Sequence, residues 1–279
     1  IIAFVGSVFS PYYAWARRQG KAVDPDNHCA LNVALYSREA RRWTMTERGA
    51  RHCHRDEMQF QIGPSQLRWQ EDALVIDIDE WSVPWPHRVR GQVRLQANTW
   101  FSESMALDAQ GKHRWGPLAP SARVSVSLEQ PSQHWQGQAY LDANEGDEPI
   151  EQACHEWDWS RALMADGSTA VIYDIQGKTS NEDRLLALRF MTDGSVQPFV
   201  APPRVNLPTT LWRMARRMRS DGSVQVKETL EDTPFYQRAL LQSRLLGESV
   251  QSFHETLSVP RLVSPWVQAM LPWRMPRRA

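Results

Sequence analysis

Apolar and polar residues alternate with a period of two along most of the chain. In residues 122–130 (ARVSVSLEQ), Val124, Val126 and Leu128 fall on one face, and polar or charged side chains fall on the other. Because successive side chains of a β-strand point to opposite faces, this pattern predicts half-buried antiparallel strands. The same alternation marks three further segments, residues 72–80, 88–96 and 169–177.

Helical periodicity is scarce, and turn signals separate the predicted strands. Residues 209–220 (TTLWRMARRMRS) are the best helical candidate, although they also fit a strand. The tripeptide Asp-Gly-Ser occurs at 166–168, 193–195 and 221–223. Asp-Gly supplies the positive φ that tight hairpins require, and hairpins without crossover helices predict an antiparallel barrel or sandwich. The three matches are too short to establish an internal repeat.

The length of 279 residues fits two packed units or one large β domain. A proline-rich segment, 197–208, marks a boundary or a crossover. We therefore expect an N-terminal β domain over 1–200, which carries the candidate site, and a C-terminal β segment over 201–279. The final stretch, 259–279, holds four Arg and no acidic residue. It fits either a segment lying on an anionic membrane surface or a poorly ordered tail.

Charge and cysteine content narrow the class of protein. The 32 basic and 32 acidic residues balance, which gives no general reason to expect nucleic acid as a partner. Three cysteines without a short paired spacing indicate a reducing compartment rather than a disulfide framework. No run reaches the roughly 18 apolar residues of a spanning helix, and the opening residues lack a basic leader region. We expect a cytoplasmic protein without a membrane span.

Motifs for nucleotide cofactors and for common nucleophiles are absent from the sequence. It contains no glycine-rich phosphate cradle, no P-loop and no G-x-S-x-G elbow. These absences leave ligand binding or cofactor-free acid–base chemistry, and we expect no cofactor. His52 and His54 would share a strand face, so zinc is conceivable. No second ligand pair stands nearby in sequence, and two surface histidines are the favoured interpretation.

Two pairs with i, i+2 spacing combine an ionisable group with an aromatic ring. The first pair is His113 and Trp115, and the second is Tyr140 and Asp142. On a strand, each pair would face one side and could line an apolar pocket with few polar groups. The structural alternative is a turn histidine, two core aromatics and an aspartate that opens a turn. Spacing alone favours that alternative.

Six long segments, taken together, point to a known family. They are IAFVGSVFSPYYAWARR (2–18), HCALNVALYSREARRWTMTERG (28–49), IGPSQLRWQEDALVIDIDE (62–80), YLDANEGDEPIE (140–151), WDWSRA (157–162) and LEDTPFYQRALLQSRLLGE (230–248). These segments resemble the acyclic carotenoid 1,2-hydratases of purple photosynthetic bacteria, and the resemblance covers nearly the whole chain in order. It implies a tandem lipocalin-like, all-β architecture of antiparallel barrels or sandwiches. It also implies addition of water across the terminal 1,2 double bond of neurosporene or lycopene.

The resemblance further implies that a His-x-Trp pair and a following Tyr-x-Asp pair matter for activity. Here those letters fall on His113, Trp115, Tyr140 and Asp142, whereas the pair at 155–157 lies in the wrong order. Hydration of such an alkene begins by protonation of carbon 2, and a buried Asp142 could hold the proton. Trp115 would face the cation, Tyr140 would orient the acid or the water, and His113 would take the proton from water.

The implied substrate suggests where such an enzyme works. A linear polyene is confined to the bilayer, so we expect peripheral association with the cytoplasmic face of the inner, photosynthetic membrane. The alternative is a non-catalytic, lipocalin-like protein that binds a carotenoid or isoprenoid. A different reaction in the same pocket, such as cyclisation or isomerisation, is a second alternative. A buried Asp142 favours the enzyme, and an Asp142 in open solvent favours the carrier.

Overall fold

Antiparallel β structure dominates the chain, as the alternation predicted. The structure is a computed structural model that describes residues 1–20 and 22–278. Its strands are β1 (Ile2–Val5), β2 (Cys29–Tyr36), β3 (Arg41–Arg48), β4 (Cys53–Arg55), β5 (Gln59–Ile62), β6 (Ser65–Gln70), β7 (Ala73–Trp81), β8 (Arg88–Ala97), β9 (Met105–Ala106), β10 (His113–Gln130), β11 (Gln133–Gly146), β12 (Cys154–Leu163), β13 (Thr169–Gly177), β14 (Arg184–Phe190), β15 (Val196–Pro198), β16 (Arg204–Leu207), β17 (Arg216–Arg219), β18 (Gln225–Asp232), β19 (Tyr236–Leu245), β20 (Glu248–Ser258) and β21 (Arg277–Arg278).

Helices are few and short. None of them, among the residues described, is long and apolar enough to cross a membrane. The α-helices are α1 (Pro11–Arg18), α2 (Ile150–Ala153), α3 (Val259–Leu262) and α4 (Pro265–Arg274). Single 3-10 turns cover Pro25–Asn27, Ala50–His52 and Ser180–Glu182.

The strands form open sheets rather than a closed barrel over the described part of the chain. One sheet has the order β1-β2-β3-β21, and a second runs β11-β10-β8-β7-β6-β5-β4 with β9 beside β10. The third, called here the site sheet, runs β15-β14-β13-β12-β20-β19-β18, and its neighbouring strands are antiparallel. Strands β16 and β17 form a separate two-stranded hairpin.

The chain divides into two compact units. The first contains residues 1–97, 122–139 and 268–279, and the second contains 98–121 and 140–267. The expected boundary at residue 200 falls inside the second unit. Because β10 and β11 each begin in one unit and end in the other, a division into two consecutive segments does not describe these units.

Burial along the predicted strands follows the sequence pattern in the first unit. Val124, Val126 and Leu128 are buried, and the residues between them are exposed. In the second unit, the segment 169–177 differs from the half-buried strand that its alternation predicted. It forms β13, where nearly every residue is buried, because this strand lies in the middle of the site sheet with both faces covered.

Two of the three Asp-Gly-Ser turns connect paired strands as expected. Gly167 and Gly194 have φ of 85° and 87°, in the hairpins β12–β13 and β14–β15. The third lies between β17 and β18, which belong to different sheets. The helical interpretation of 209–220 is wrong and its strand interpretation is confirmed in part, since β17 covers Arg216–Arg219. A helix is interrupted there by Arg213, whose φ is 55°.

Candidate active site

One face of the site sheet carries a row of large aromatic and charged side chains. Strand β12 places Trp157, Trp159 and Arg161 on this face, because alternate residues of a strand point the same way. Trp159 lies opposite Tyr173 of β13 and opposite Glu255 of β20. The alternate residues of WDWSRA thus form part of a continuous surface only because β13 and β20 pair with β12.

The end of β11 packs against this surface through Tyr140. The rings of Tyr140 and Trp159 have centroids 5.3 Å apart, and those of Trp159 and Phe253 are 6.4 Å apart. Trp115 meets Tyr173 edge to face at 5.8 Å. Together these five side chains are called here the aromatic layer. Edge-to-face and tilted contacts at these distances stabilise one arrangement of the rings.

Asp142 is held by two donors at the same oxygen. Trp115 donates from Nε1 to Asp142 Oδ2 at 2.9 Å, and Tyr140 donates its hydroxyl to that oxygen at 3.0 Å. Within the described part of the chain, no hydrogen bond joins Oδ1. A neutral Asp142 therefore carries its proton on Oδ1, because Oδ2 already accepts two hydrogen bonds. Three of the four residues singled out in the sequence thus meet at one carboxyl group.

The surroundings of Asp142 favour its neutral form. Burial raises the pKa of its carboxyl to about 6, and the hydrogen bonds from Trp115 and Tyr140 limit that rise. The negative charge of Glu255 raises the pKa further, and the positive charge of Arg161 lowers it. Asp142 and Tyr140 nevertheless keep a partly accessible surface. They therefore do not fill a closed core, and the partly accessible surface that they share with the aromatic layer is called here the recess.

His113 occupies the start of β10 and is nearly enclosed, with 9% of its surface exposed. Its Nδ1 lies 2.8 Å from Asp108 Oδ2, and its Nε2 lies 3.0 Å from the carbonyl oxygen of Glu148. Both ring nitrogens thus face hydrogen-bond acceptors. Gly146 is required beside the ring, because a Cβ there would come within 2.7 Å of His113 Cδ2. His113 fixes the turn that follows Asp142 in the chain.

Arg161 is a site residue that sequence reasoning missed. Its guanidinium lies 5.2 Å from the centre of the Tyr140 ring and 5.5 Å from that of Phe253. No carboxylate among the described residues pairs with it, and burial lowers its pKa. Trp159, Tyr173 and Glu255 were missed as well. For Trp159 and Arg161 the alternation in WDWSRA was an available signal, whereas Glu255 lies 96 positions beyond Trp159 and gave none.

The two other pairs that the sequence suggested lie apart from this layer or only partly in it. His52 and His54 are exposed in the first unit, beside Arg48 and Arg51 at a recess of about 390 Å³. In the stretches 1–20 and 22–278, no group of three or more His, Cys, Asp or Glu side chains is placed to hold a metal ion. The ring of Trp157 contacts that of Tyr173 in the aromatic layer, with centroids 5.1 Å apart, but His155 is exposed.

The structure is thus an antiparallel β protein in which a carboxyl group with a raised pKa lies beside a layer of aromatic rings. The profile of the family described as "Carotenoid hydratase CrtC" matches residues 1–279, and the chain belongs to this family of hydro-lyases. The chain is 56% identical over 281 residues to the acyclic carotenoid 1,2-hydratase of Rubrivivax gelatinosus, covering 100% of this chain and 69% of that protein.

Further relatives agree with this assignment, and one solved structure shares the fold. The acyclic carotenoid 1,2-hydratase of Thiocapsa roseopersicina is 50% identical over 99% of this chain and 68% of its own length. That of Rhodobacter capsulatus is 36% identical, covering 100% of this chain and 98% of that protein. A crystal structure of a protein described as AttH from Nitrosomonas europaea superposes with a TM-score of 0.59 at 13% identity, covering 83% of this chain and 81% of that one. This likeness supports the lipocalin-like fold.

Proposed function

We propose that this protein adds water across the terminal 1,2 double bond of acyclic carotenoids such as neurosporene and lycopene, giving 1-hydroxy-1,2-dihydro products. The observation that carries the proposal is Asp142, a carboxyl with a raised pKa whose Oδ1 is left open while two donors hold Oδ2. Family membership supplies the substrate class. Asp142 Oδ1, which accepts no hydrogen bond from the residues described, can carry the proton that hydration of the alkene requires.

The first step transfers the proton of Asp142 Oδ1 to carbon 2 of the alkene. The π electrons form the new C–H bond, and the positive charge appears at the tertiary carbon 1. The carboxylate that remains is stabilised at Oδ2 by Trp115 and Tyr140, whose donors are already in place. Hydrogen bonds to a charged group contribute about 1.5–3 kcal/mol each, and preorganised donors need no rearrangement during the reaction.

Aromatic faces beside Asp142 stabilise the cation. Tyr140 keeps a partly accessible surface in the recess, and Trp159 packs on it at 5.3 Å. We assign the cation–π contact to these two rings, worth about 2 kcal/mol when desolvated. Trp115 is fully enclosed, so it acts through its N–H on the acid. Because both nitrogens of His113 are engaged, we assign His113 to positioning the turn after Asp142.

The reaction is redox-neutral, and each step above uses only side chains and water, so we propose that no cofactor takes part. The alternative function, a carotenoid or isoprenoid carrier, has less support. A carrier needs an apolar recess but no titratable carboxyl held by two donors, and burying such a group costs stability. Asp142 does not lie in open solvent, and its raised pKa and two donors favour the enzyme over the carrier.

We further propose that the protein docks peripherally on an anionic membrane surface at the cytoplasmic face of the inner membrane. The loop before β17 exposes 91% of Leu211, and the neighbouring Trp212 lies 6.1 Å from Trp266 at the start of α4. Arg261 donates to the carbonyl oxygens of Trp212 and Arg213. Interfacial Trp beside Arg is typical of peripheral membrane contacts. Residues 259–278 are helical over most of their length, with Leu262 and Val267 buried, so they form part of the fold and not a loose tail.

The function is tested by incubating the protein with lycopene or neurosporene in liposomes and measuring product mass. We expect a product heavier than the substrate by one water. Cyclisation or isomerisation would leave the mass unchanged, and a carrier would return unchanged substrate. Either of those results with well-folded protein would contradict the proposal.

Membrane docking is tested by sedimentation with anionic liposomes. We expect the double variant Leu211→Ser with Trp212→Ser to bind several-fold more weakly than the wild type. Val200→Ser is the control, since Val200 is an apolar residue that is 93% exposed in a different loop, between β15 and β16. Equal binding by all three proteins would place the contact elsewhere.

A further inference from the structure

Glu255 is a second carboxylate near Asp142: it lies on the face of the site sheet against which Tyr140 packs, and its negative charge raises the pKa of Asp142. Strand β20 places it directly opposite Trp159, two residue pairs away from the position where Phe253 lies opposite Arg161, so both pairs share one face. Its side chain is 18% exposed, so it is not closed into the core. The sequence gave no reason to join Glu255 to Asp142, because only the pairing of β12 with β20 brings them to one surface.

Glu255 is held in a fixed orientation. Arg238 donates from Nε to Glu255 Oε1 at 2.8 Å and also pairs with Glu231 at 3.4 Å. The Arg238 guanidinium lies 5.5 Å from the centre of the Phe253 ring, and its side chain is only 10% exposed. A partly buried ion pair with several contacts holds a carboxylate in one position.

Charge divides the recess into two sides. The unpaired Arg161 lies beside Tyr140, whose hydroxyl holds the acid, while Glu255 lies beside Trp159. The two charges act on Asp142 in opposite directions, which places both within electrostatic range of it. When Asp142 gives up its proton, the positive charge of Arg161 stabilises the new negative charge on Asp142. The negative charge of Glu255 stabilises the new positive charge on the substrate.

The water that attacks the cation at carbon 1 must lose a proton. The sequence analysis suggested His113 as the group that accepts this proton. Both nitrogens of that ring are engaged, with Asp108 and with the Glu148 carbonyl. We propose that Glu255 is the second catalytic carboxylate of this site: it binds the attacking water and accepts its proton. This inference rests on the proposed hydration.

The step balances in atoms and charge. A lone pair of the water oxygen forms the bond to carbon 1, and the O–H bond of that water breaks, with its proton passing to a Glu255 oxygen. Asp142 then carries one negative charge, and Glu255 is neutral. A proton returned from Glu255 to Asp142 through solvent restores both groups, and the net change is alkene plus water to alcohol. Two carboxyl groups with opposite proton states suit acid and base roles.

The test compares Glu255→Gln with Glu231→Gln. Both glutamates pair with Arg238, so each variant disturbs that ion pair, but only Glu255 lies opposite Trp159. We expect Glu255→Gln to lose about 10²–10⁴-fold in hydration rate, the usual effect of a positioned acid or base. Glu231→Gln should stay within a few-fold of the wild type. Both should keep the wild-type circular dichroism spectrum and melting temperature to within a few degrees.

A small anion gives a readout that a structural role would not move. Azide needs no base to capture the cation at carbon 1, so Glu255→Ala with azide should form the 1-azido product faster than the wild type does. If the wild type hydrates lycopene while Glu255→Gln is equally active, or if Glu255→Ala forms no azido product, the inference is overturned. If the wild type itself adds no water, the proposed function fails instead.

Discussion

An aspartate lies beside each face of the site sheet, and the two differ in their surroundings: Asp142 of β11 packs beside one face, and Asp158 of β12 belongs to the other. On one face, Asp142 has a pKa raised to about 6, and on the other, burial raises the pKa of Asp158 to about 7. Asp158 accepts a hydrogen bond from Thr256 at 2.5 Å and is only 5% exposed. Asp142 borders a recess with Oδ1 open. A raised pKa therefore marks burial, and access to the proton marks the candidate acid.

The neighbours of the two aspartates make the same distinction. Asp158 lies beside the fully enclosed His254, whose pKa burial lowers to about 3. Asp174, opposite Asp158 on β13, pairs with Arg204 and Arg219 at 2.6 and 2.7 Å. These groups form a polar cluster in which both aspartates are buried. The face of Asp142 instead presents aromatic rings and charges to an accessible recess.

The largest effect is expected from replacing each aspartate with its amide. Asp142→Asn should keep the fold and lose about 10²–10⁴-fold in hydration rate, because the amide cannot donate the required proton. Asp158→Asn, the matched control on the opposite face, should retain activity within a few-fold. The measurement is product formation from lycopene in liposomes. If Asp142→Asn is active and Asp158→Asn is inactive, Asp142 is not the proton donor and Asp158 takes that role.

Stability should respond to Asp158 with a definite dependence on pH. Because its folded pKa is raised above the unfolded value of 3.8, its stabilising contribution is present at acid pH and is lost as pH rises through about 7. At pH 8, Asp158→Asn should therefore be more stable than the wild type by about 2–4 kcal/mol, and the difference should shrink towards pH 5. Denaturant unfolding at both pH values measures it, and a difference that grows on acidification would contradict this assignment.

A smaller effect is expected from removing one donor to Asp142. Hydrogen bonds from Tyr140 lower the pKa of the carboxyl, so Tyr140→Phe should raise it. The rate, which falls as Asp142 ionises, should then fall at a pH about one to two units higher than in the wild type, with a lower maximum. Tyr173→Phe is the control, because its hydroxyl contacts Asn144 and not Asp142. Identical pH–rate profiles for both variants would show that Tyr140 does not influence the pKa of Asp142.

Alternation along the strands was sufficient to predict an antiparallel β fold, because its period of two is local. Short motifs were sufficient for two hairpins at Gly167 and Gly194, where the positive φ needs only neighbouring residues. Resemblance located His113, Trp115, Tyr140 and Asp142. It did not show that Trp115 donates to Asp142 Oδ2, or that both nitrogens of His113 are engaged.

The sequence by itself determined the class of fold, the candidate acid and its aromatic neighbours, since these depend on residue type and short spacing. Tertiary structure alone decided that Asp142 stays partly accessible beside the aromatic layer while Asp158 is almost fully buried, and for this reason we propose Asp142 as the acid. It also brought Glu255 and Arg161 to the recess of Asp142, through the pairing of β12 with β20. Strand pairing joins residues that are far apart in the chain, and desolvation depends on everything packed around a group, so neither can be read from local spacing.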